Sequence, residues 1–294
     1  MRNVHLLGIP MDLGAGRRGV DMGASALRLA RLARTLETLG HTIHDHGNVE
    51  VAPAEATRSP DPLPYVDAIA KACERTAALT RDFPNDAFPL FLGGDHAISI
   101  GSIAGVHQHG RTGVLWVDAH ADLNTPATSP SGNVHGMPVA VLLGHGDPRL
   151  TRVGGEEPKL RPEDVVYLGL RAVDPDERTM IRDLGIKAFT MTDIDQRGIA
   201  DVATEAIEHL AGTDRLHVSF DADVLDPDLA PGVGTPVPGG LRYREAHLLM
   251  EMLSDTQRVT SLDLVEVNPI LDLRNRSAEI LVEMAASLLG KKIL

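Results

Sequence analysis

Cysteine is almost missing from this chain: the 294 residues contain one, Cys73. That excludes an intrachain disulfide and a cysteine-rich zinc knuckle, and it fits a reducing compartment. Positive charge is also in short supply. Against 41 Asp and Glu stand only 28 Lys and Arg, a formal net charge of −13. A nucleic-acid backbone or an anionic membrane surface needs clustered positive charge, so neither is expected as a partner. Long hydrophobic runs are lacking too. The N-terminal MRNVHLLGIP is too short in apolar residues for a signal peptide, and no stretch approaches membrane-spanning length. The expected location is therefore the cytoplasm. Internal repeats and low-complexity linkers are absent as well.

The composition that remains, 43% hydrophobic and 23% charged, is that of an ordinary globular protein. Short apolar, β-branched runs recur at Val4–Ile9, Thr42–His46, Pro89–Leu92, Gly113–Val117, Val165–Leu168, Lys187–Met191, Leu216–Phe220 and Ser261–Val265. Amphipathic patterns fall between several of them, at Ala24–Leu39, Tyr65–Thr80, Ile199–Leu210, Arg244–Leu253 and Ser277–Leu289. This alternation predicts an α/β fold, an open and mostly parallel eight-stranded sheet with helices on both faces. The four prolines of Ala52–Pro64 do not mark a domain boundary, because only two strands would precede it. One domain over residues 1–294 is expected.

Ligands of open parallel sheets lie beyond the carboxyl ends of the strands. The run Gly113–Val117 leads into Asp118-Ala-His120-Ala-Asp122, whose acidic and imidazole side chains alternate with alanine and so share one face if extended. Leu216–Phe220 leads into Asp221-Ala-Asp223 with the same spacing, and Pro89–Leu92 runs into Gly93-Gly94-Asp95-His96. Any one of these could be a turn former or a helix cap. Jointly they gather carboxylates that repel one another unless cations neutralise them. An all-N/O donor set fits two divalent ions sharing bridging carboxylates, and such ions make hydroxide available at neutral pH.

The segments GGDHAISIGS, WVDAHADLNTP, SGNVHGMPVA, SFDADVLDPDLAPGVGTPVPGGL and SLDLVEVNPI, in this order, resemble the ureohydrolase superfamily and within it the bacterial arginases. The resemblance implies the three-layer fold shared with deacetylases and two Mn²⁺ ions per chain. His96, Asp118, Asp122 and Asp221 would hold one ion, and His120, Asp118, Asp221 and Asp223 the other. It further implies hydrolysis of L-arginine to L-ornithine and urea by a hydroxide bridging the ions. Besides Asp122, the catalytic groups would be His135 for proton transfer and Glu266 for holding the guanidinium. Asn124, Ser131 and Asn133 would bind the α-carboxylate, with Asp174 and Glu177 near the α-amino group and Thr235 beside the pocket. Ala172 departs from the acid that many arginases carry there. The family likeness also implies a homotrimer or homohexamer, with Arg244 and Glu245 at the subunit contact.

Other readings compete. Agmatinases share the metal motifs, but their substrate has no carboxylate and they usually carry a different loop at 124–133. Gly14-Ala-Gly16-Arg-Arg-Gly19 spells a dinucleotide fingerprint, yet its first glycine lies five residues past Ile9 rather than in the strand-to-helix turn itself. A zinc deacetylase binds one ion, which a six-ligand set exceeds. A non-catalytic metal-binding module would leave His135 and Glu266 without purpose. His41, His44 and His46 are expected not to bind metal, His217 to lie behind the ligands, and Cys73 to be core.

Overall fold

The computed structural model describes residues 1–292. Among the described residues eight strands form one sheet: β1 (Asn3–Ile9), β2 (Thr42–Asn48), β3 (Ala87–Gly93), β4 (Thr112–Val117), β5 (Val165–Leu170), β6 (Lys187–Thr190), β7 (Arg215–Asp221) and β8 (Val259–Val265). They lie in the order β2-β1-β3-β8-β7-β4-β5-β6, and every pairing is parallel. Strands β3, β4 and β5 are buried at every residue. That is why they read as continuous apolar runs rather than as an alternation. The two edges differ as physics requires: β2 is polar and mostly exposed, and β6 is only four residues long.

Helices pack on the sheet, and three apolar clusters form the core. The expected single helix Ala24–Leu39 is in fact two, Gly23–Leu29 and Leu32–Thr38, separated at Arg31, which takes a left-handed φ of 65°. The reason is phase. Leu27 and Leu32 are both fully buried, yet five residues apart they would lie about 140° apart on one straight helix. The break brings them onto the same core. The helix Ser99–His107 has no amphipathic pattern to read, since eight of its nine residues are buried. Gly101 lets it approach the helix Val66–Arg81, because a Cβ there would fall 2.6 Å from the Cys73 carbonyl oxygen.

Among the described residues no helix is long and apolar enough to cross a membrane. Chain order reverses between β3 and β4, with β7 and β8 inserted between them. The crevice over the carboxyl ends of β3, β8, β7, β4 and β5 is the natural place for a ligand.

Candidate active site

Each candidate donor follows one of those five neighbouring strands. His96 comes three residues after β3, and Asp118, His120 and Asp122 come directly after β4. Asp221 ends β7 with Asp223 in the next turn, Glu266 follows β8, and Asp174 and Glu177 follow β5. A cavity of about 440 Å³ is lined by His96, His120, Asp122, Asp221, Asp223 and Glu266, with Asp118 fully buried.

His96 Nδ1 lies 3.0 Å from an Asp118 oxygen, 3.0 Å from Asp122 and 3.1 Å from Asp221. Its Nε2 lies 2.9 Å from Ser219 Oγ, and its ring stacks on Trp116 at 4.1 Å between centroids. With the Nε2 proton donated to Ser219, Nδ1 presents a lone pair to three carboxylates. A cation at that point turns the repulsion into coordination, so these residues fit a metal ion. On the other side His120 Nδ1 lies 3.0 Å from Asp223 and 3.5 Å from Asp118. The two donor groups, His96–Asp118–Asp122 and Asp118–His120–Asp223, share Asp118. Either group could hold an ion, and the absence of thiolate favours a hard or borderline one.

The electrostatics agree. Burial, then Asp118, push Asp122 up to about 6, and burial with neighbouring acids also raises Asp221 and Asp223. Burial opposes charge on the imidazoles, yet Asp223 and Asp118 drive His120 up to about 12, and the acids around His96 raise it as well. Such a field calls for positive charge.

Glu266 and His135 form the facing wall. Glu266 Oε1 is 2.9 Å from His135 Nδ1 and accepts the His96 backbone N–H at 2.9 Å. Its Oε2 is buried without a partner. An orphan carboxylate oxygen there suits the N–H groups of a guanidinium. Burial works against charge on His135, but Glu266, Asp95 and Asp122 outweigh it and raise its pKa to about 9. Glu266 and Asp122 both hold left-handed backbones, φ 63° and 51°, of the kind that persists where the surroundings over-determine it.

The selective loop is divided. Asn124, Ser131 and Asp174 line the same cavity. Asn133 lines an adjoining one of about 510 Å³ with Gly16 and Arg17, and His135, Thr235 and Glu266 border both. The Asn124 carboxamide accepts from Thr128 at 2.9 Å and donates to Asp174 at 2.9 Å, which leaves one amide hydrogen for another partner. Ser131 Oγ accepts the Asn133 N–H at 3.2 Å. Thr235 Oγ1 donates to Asp223 at 2.9 Å. Glu177 lines the cavity beside Asp174. It is buried, and its two oxygens accept the backbone N–H groups of Leu123 and Asp174, both at 2.9 Å, so it braces two loops.

Several residues at the site escaped the sequence reading. Trp116 donates its indole N–H to Asp118 at 3.0 Å, and Ser219 backs His96. Each sits two residues before an acid on the same strand face, so the period-2 rule contained the signal. His217 lies 2.8 Å from Ser261 Oγ and 3.2 Å from the buried Asp263, which also accepts from Ser99 and Ser102, and so sits behind the candidate donors. The Gly14–Gly19 stretch is a loop. The Gly14 N–H donates to Asp95, the His135 N–H donates to the Gly14 carbonyl, and helical structure resumes only at Val20. No strand–turn–helix is present there to cradle a dinucleotide phosphate.

The arginase family profile matches residues 2–290. The chain belongs to the arginase family. The curated arginase of Bacillus caldovelox is 50% identical over the full length of both chains. Its native crystal structure at pH 5.6 superposes with a TM-score of 0.97 at 49% identity, covering all of both chains. The arginase of Entamoeba histolytica in complex with L-ornithine superposes at 0.91 with 29% identity, covering 99% of this chain and all of that one. Family membership makes the chain a metal-dependent guanidino hydrolase.

Proposed function

We propose that this enzyme hydrolyses L-arginine to L-ornithine and urea with two Mn²⁺ ions per chain. One observation carries the reading: two donor groups sharing Asp118 open onto the cavity that holds the unpartnered oxygen of Glu266. The arginase relatives support it, as does the L-ornithine in the Entamoeba histolytica structure. The N/O donors suit several divalent ions, and Mn²⁺ is chosen on the family likeness.

His96, Asp118, Asp122 and Asp221 would hold one ion, and His120, Asp118, Asp221 and Asp223 the other. When bound, the ions lower the pKa of a water and supply a nucleophile at neutral pH. Glu266 accepts guanidinium N–H groups through Oε2 and fixes the electrophilic carbon in the cavity. His135 is held by Glu266 at Nδ1, which leaves Nε2 to protonate the departing δ-nitrogen. Asn124, Ser131 and Asn133 receive the α-carboxylate and Asp174 the α-amino group, with Glu177 holding Asp174 in place. Ala172 supplies no further acid on the amino side.

We also read residues 1–294 as one domain, since the proposed ligands come from strand ends across one sheet. A cytoplasmic location accords with the one free, buried cysteine. Assembly into a homotrimer or homohexamer accords with the exposed side chains of Ile270, Leu271 and Leu273, and a monomer in sedimentation velocity would reject it.

Steady-state assays of arginine and agmatine test the function. Arginine should be preferred by about 10²-fold or more in kcat/KM, because agmatine leaves carboxylate-binding groups unpaired. The double variant Asn124→Ala, Asn133→Ala should lose most arginine activity and little agmatine activity. A wild-type preference for agmatine would overturn the substrate while leaving the metal chemistry standing.

A further inference from the structure

Arg171 is the first residue after β5 and carries none of the roles above. Its guanidinium is half-buried at the cavity, and all six of its hydrogen bonds run to backbone carbonyls. Nη2 donates to Asp223 O at 2.6 Å, to Val237 O at 2.7 Å and to Leu225 O at 3.4 Å. Nη1 donates to Val224 O at 3.1 Å and Gly169 O at 3.4 Å, and Nε to Val237 O at 3.1 Å. The backbone N–H groups of Arg171 and Ala172 both donate to Ala119 O at 3.0 Å.

Three loops thus meet on one residue. The first carries Asp118 and His120, the second Asp221 and Asp223, and the third, Pro231–Gly240, carries Thr235. The same junction is tight for an independent reason. Gly169 has φ +102°, and a Cβ there would fall 2.5 Å from Val224 Cγ2 and 3.2 Å from Asp118 O. Strand β5 therefore lies flush against both metal loops, and the planar fork of an arginine fits the carbonyls that face it. No other side chain type offers five donors in one plane.

We propose that Arg171 is a positioning residue that sets the second ion position, the one that His120, Asp118, Asp221 and Asp223 would form, by pinning the 223–225 turn and the Thr235 loop to β5. The proposal rests on reading Asp223 as a ligand. His96 and Asp122 have no bond to Arg171, so the first position should be spared. Groups that orient ligands typically change metal affinity by about 10–100-fold when removed.

Mn²⁺ titration of the full chain after chelator stripping, by calorimetry and EPR, tests this without substrate. In Arg171→Met one of two binding transitions should weaken by about 10–100-fold while the other stays within about 3-fold. His120→Asn, which removes a donor from the same group, should weaken the same transition. Arg171→Lys keeps the charge but not the fork, and it should weaken that transition by an intermediate factor. Two unchanged affinities, or equal weakening of both, would overturn the proposal. Failure of Arg171→Met to fold, together with unchanged affinities in Arg171→Lys, would overturn it too and leave Arg171 a fold determinant only. A wild-type isotherm with fewer than two transitions would instead strike at the binuclear reading itself.

Discussion

Two groups of three histidines occupy opposite parts of the sheet. His96 and His120 stand at the carboxyl ends of central strands with His135 in the facing 134–136 turn, while His5, His44 and His46 stand on the outer pair β1 and β2. The inner three face carboxylates at about 3 Å, and each is raised above the ordinary imidazole range. The outer three face each other. His5 Nδ1 lies 2.9 Å from His46 Nε2, and its ring centroid is 4.7 Å from that of His44 and 4.9 Å from Phe83. Burial first, and then His44 and His46, lower His5. Among the described residues neither potential ion-holding group includes them. Histidine density therefore does not make a metal site; acids delivered by separate strand ends do.

The comparison breaks most easily at Asp118. Asp118→Asn removes the carboxylate common to both donor groups, so bound Mn²⁺ should fall from about two to below one per chain. Activity should drop by more than the 10–100-fold typical of groups that only orient ligands. Asp221→Asn should do the same, and His46→Ala should change neither. Elemental analysis and arginine turnover on the three variants decide it; two ions in a fully active Asp118→Asn chain would refute the shared-carboxylate reading.

His135→Ala comes next in size. It removes a proton-transfer group but no ligand, so kcat should fall by roughly 10- to 10⁴-fold with metal content unchanged. Loss of metal in step with activity would move His135 from the proton path to the cluster.

Chelation has a smaller effect, read on stability. Stripping the ions leaves buried acids facing one another, and occupancy at about 100-fold over Kd contributes about 2.7 kcal/mol per site. Differential scanning calorimetry should show Tm fall by about 5–10 °C in wild type and hardly at all in Asp118→Asn. Equal shifts in both chains would mean that the chelator acts elsewhere.

These contrasts also show what a sequence can carry. The eight strands were readable because the central ones are buried on both faces and appear as unbroken apolar runs. The candidate donors were readable because strand geometry imposes a period of two, which His120 and Asp223 obey. The helix Ser99–His107 was not, because burial on all sides erases periodicity. Nor were the tasks of Glu177 and Arg171. Beyond its capping-box bond to the Asp174 N–H, Glu177 answers a backbone N–H 54 residues away, and five of the six guanidinium bonds of Arg171 reach carbonyls 52 to 66 residues away. Backbone groups carry no sequence identity, so no spacing rule reports them.

The smallest expected effect probes the outer histidines by pH. His5 is only 6% exposed, and its imidazole is held below the ordinary value of 6.5, with Asp86 alone pulling the other way. In the unfolded chain that imidazole takes up a proton as pH falls through about 6.5. In the folded chain it resists, so the unfolded state binds more protons and stability is lost on acidification. His5→Phe keeps the packing against Phe83 and removes the titration. Urea unfolding of both chains after chelation, at pH 7.5 and 5.5, isolates the residue because every other group is common to the pair. Wild type should lose more stability than the variant over that interval. The gap should stay below about 1 kcal/mol, because His44 and His46 are exposed and solvent screens them. A gap that is absent, or that favours wild type at the lower pH, would show His5 titrating like a solvent-exposed imidazole, and the contrast between the two histidine groups would then rest on the inner one alone.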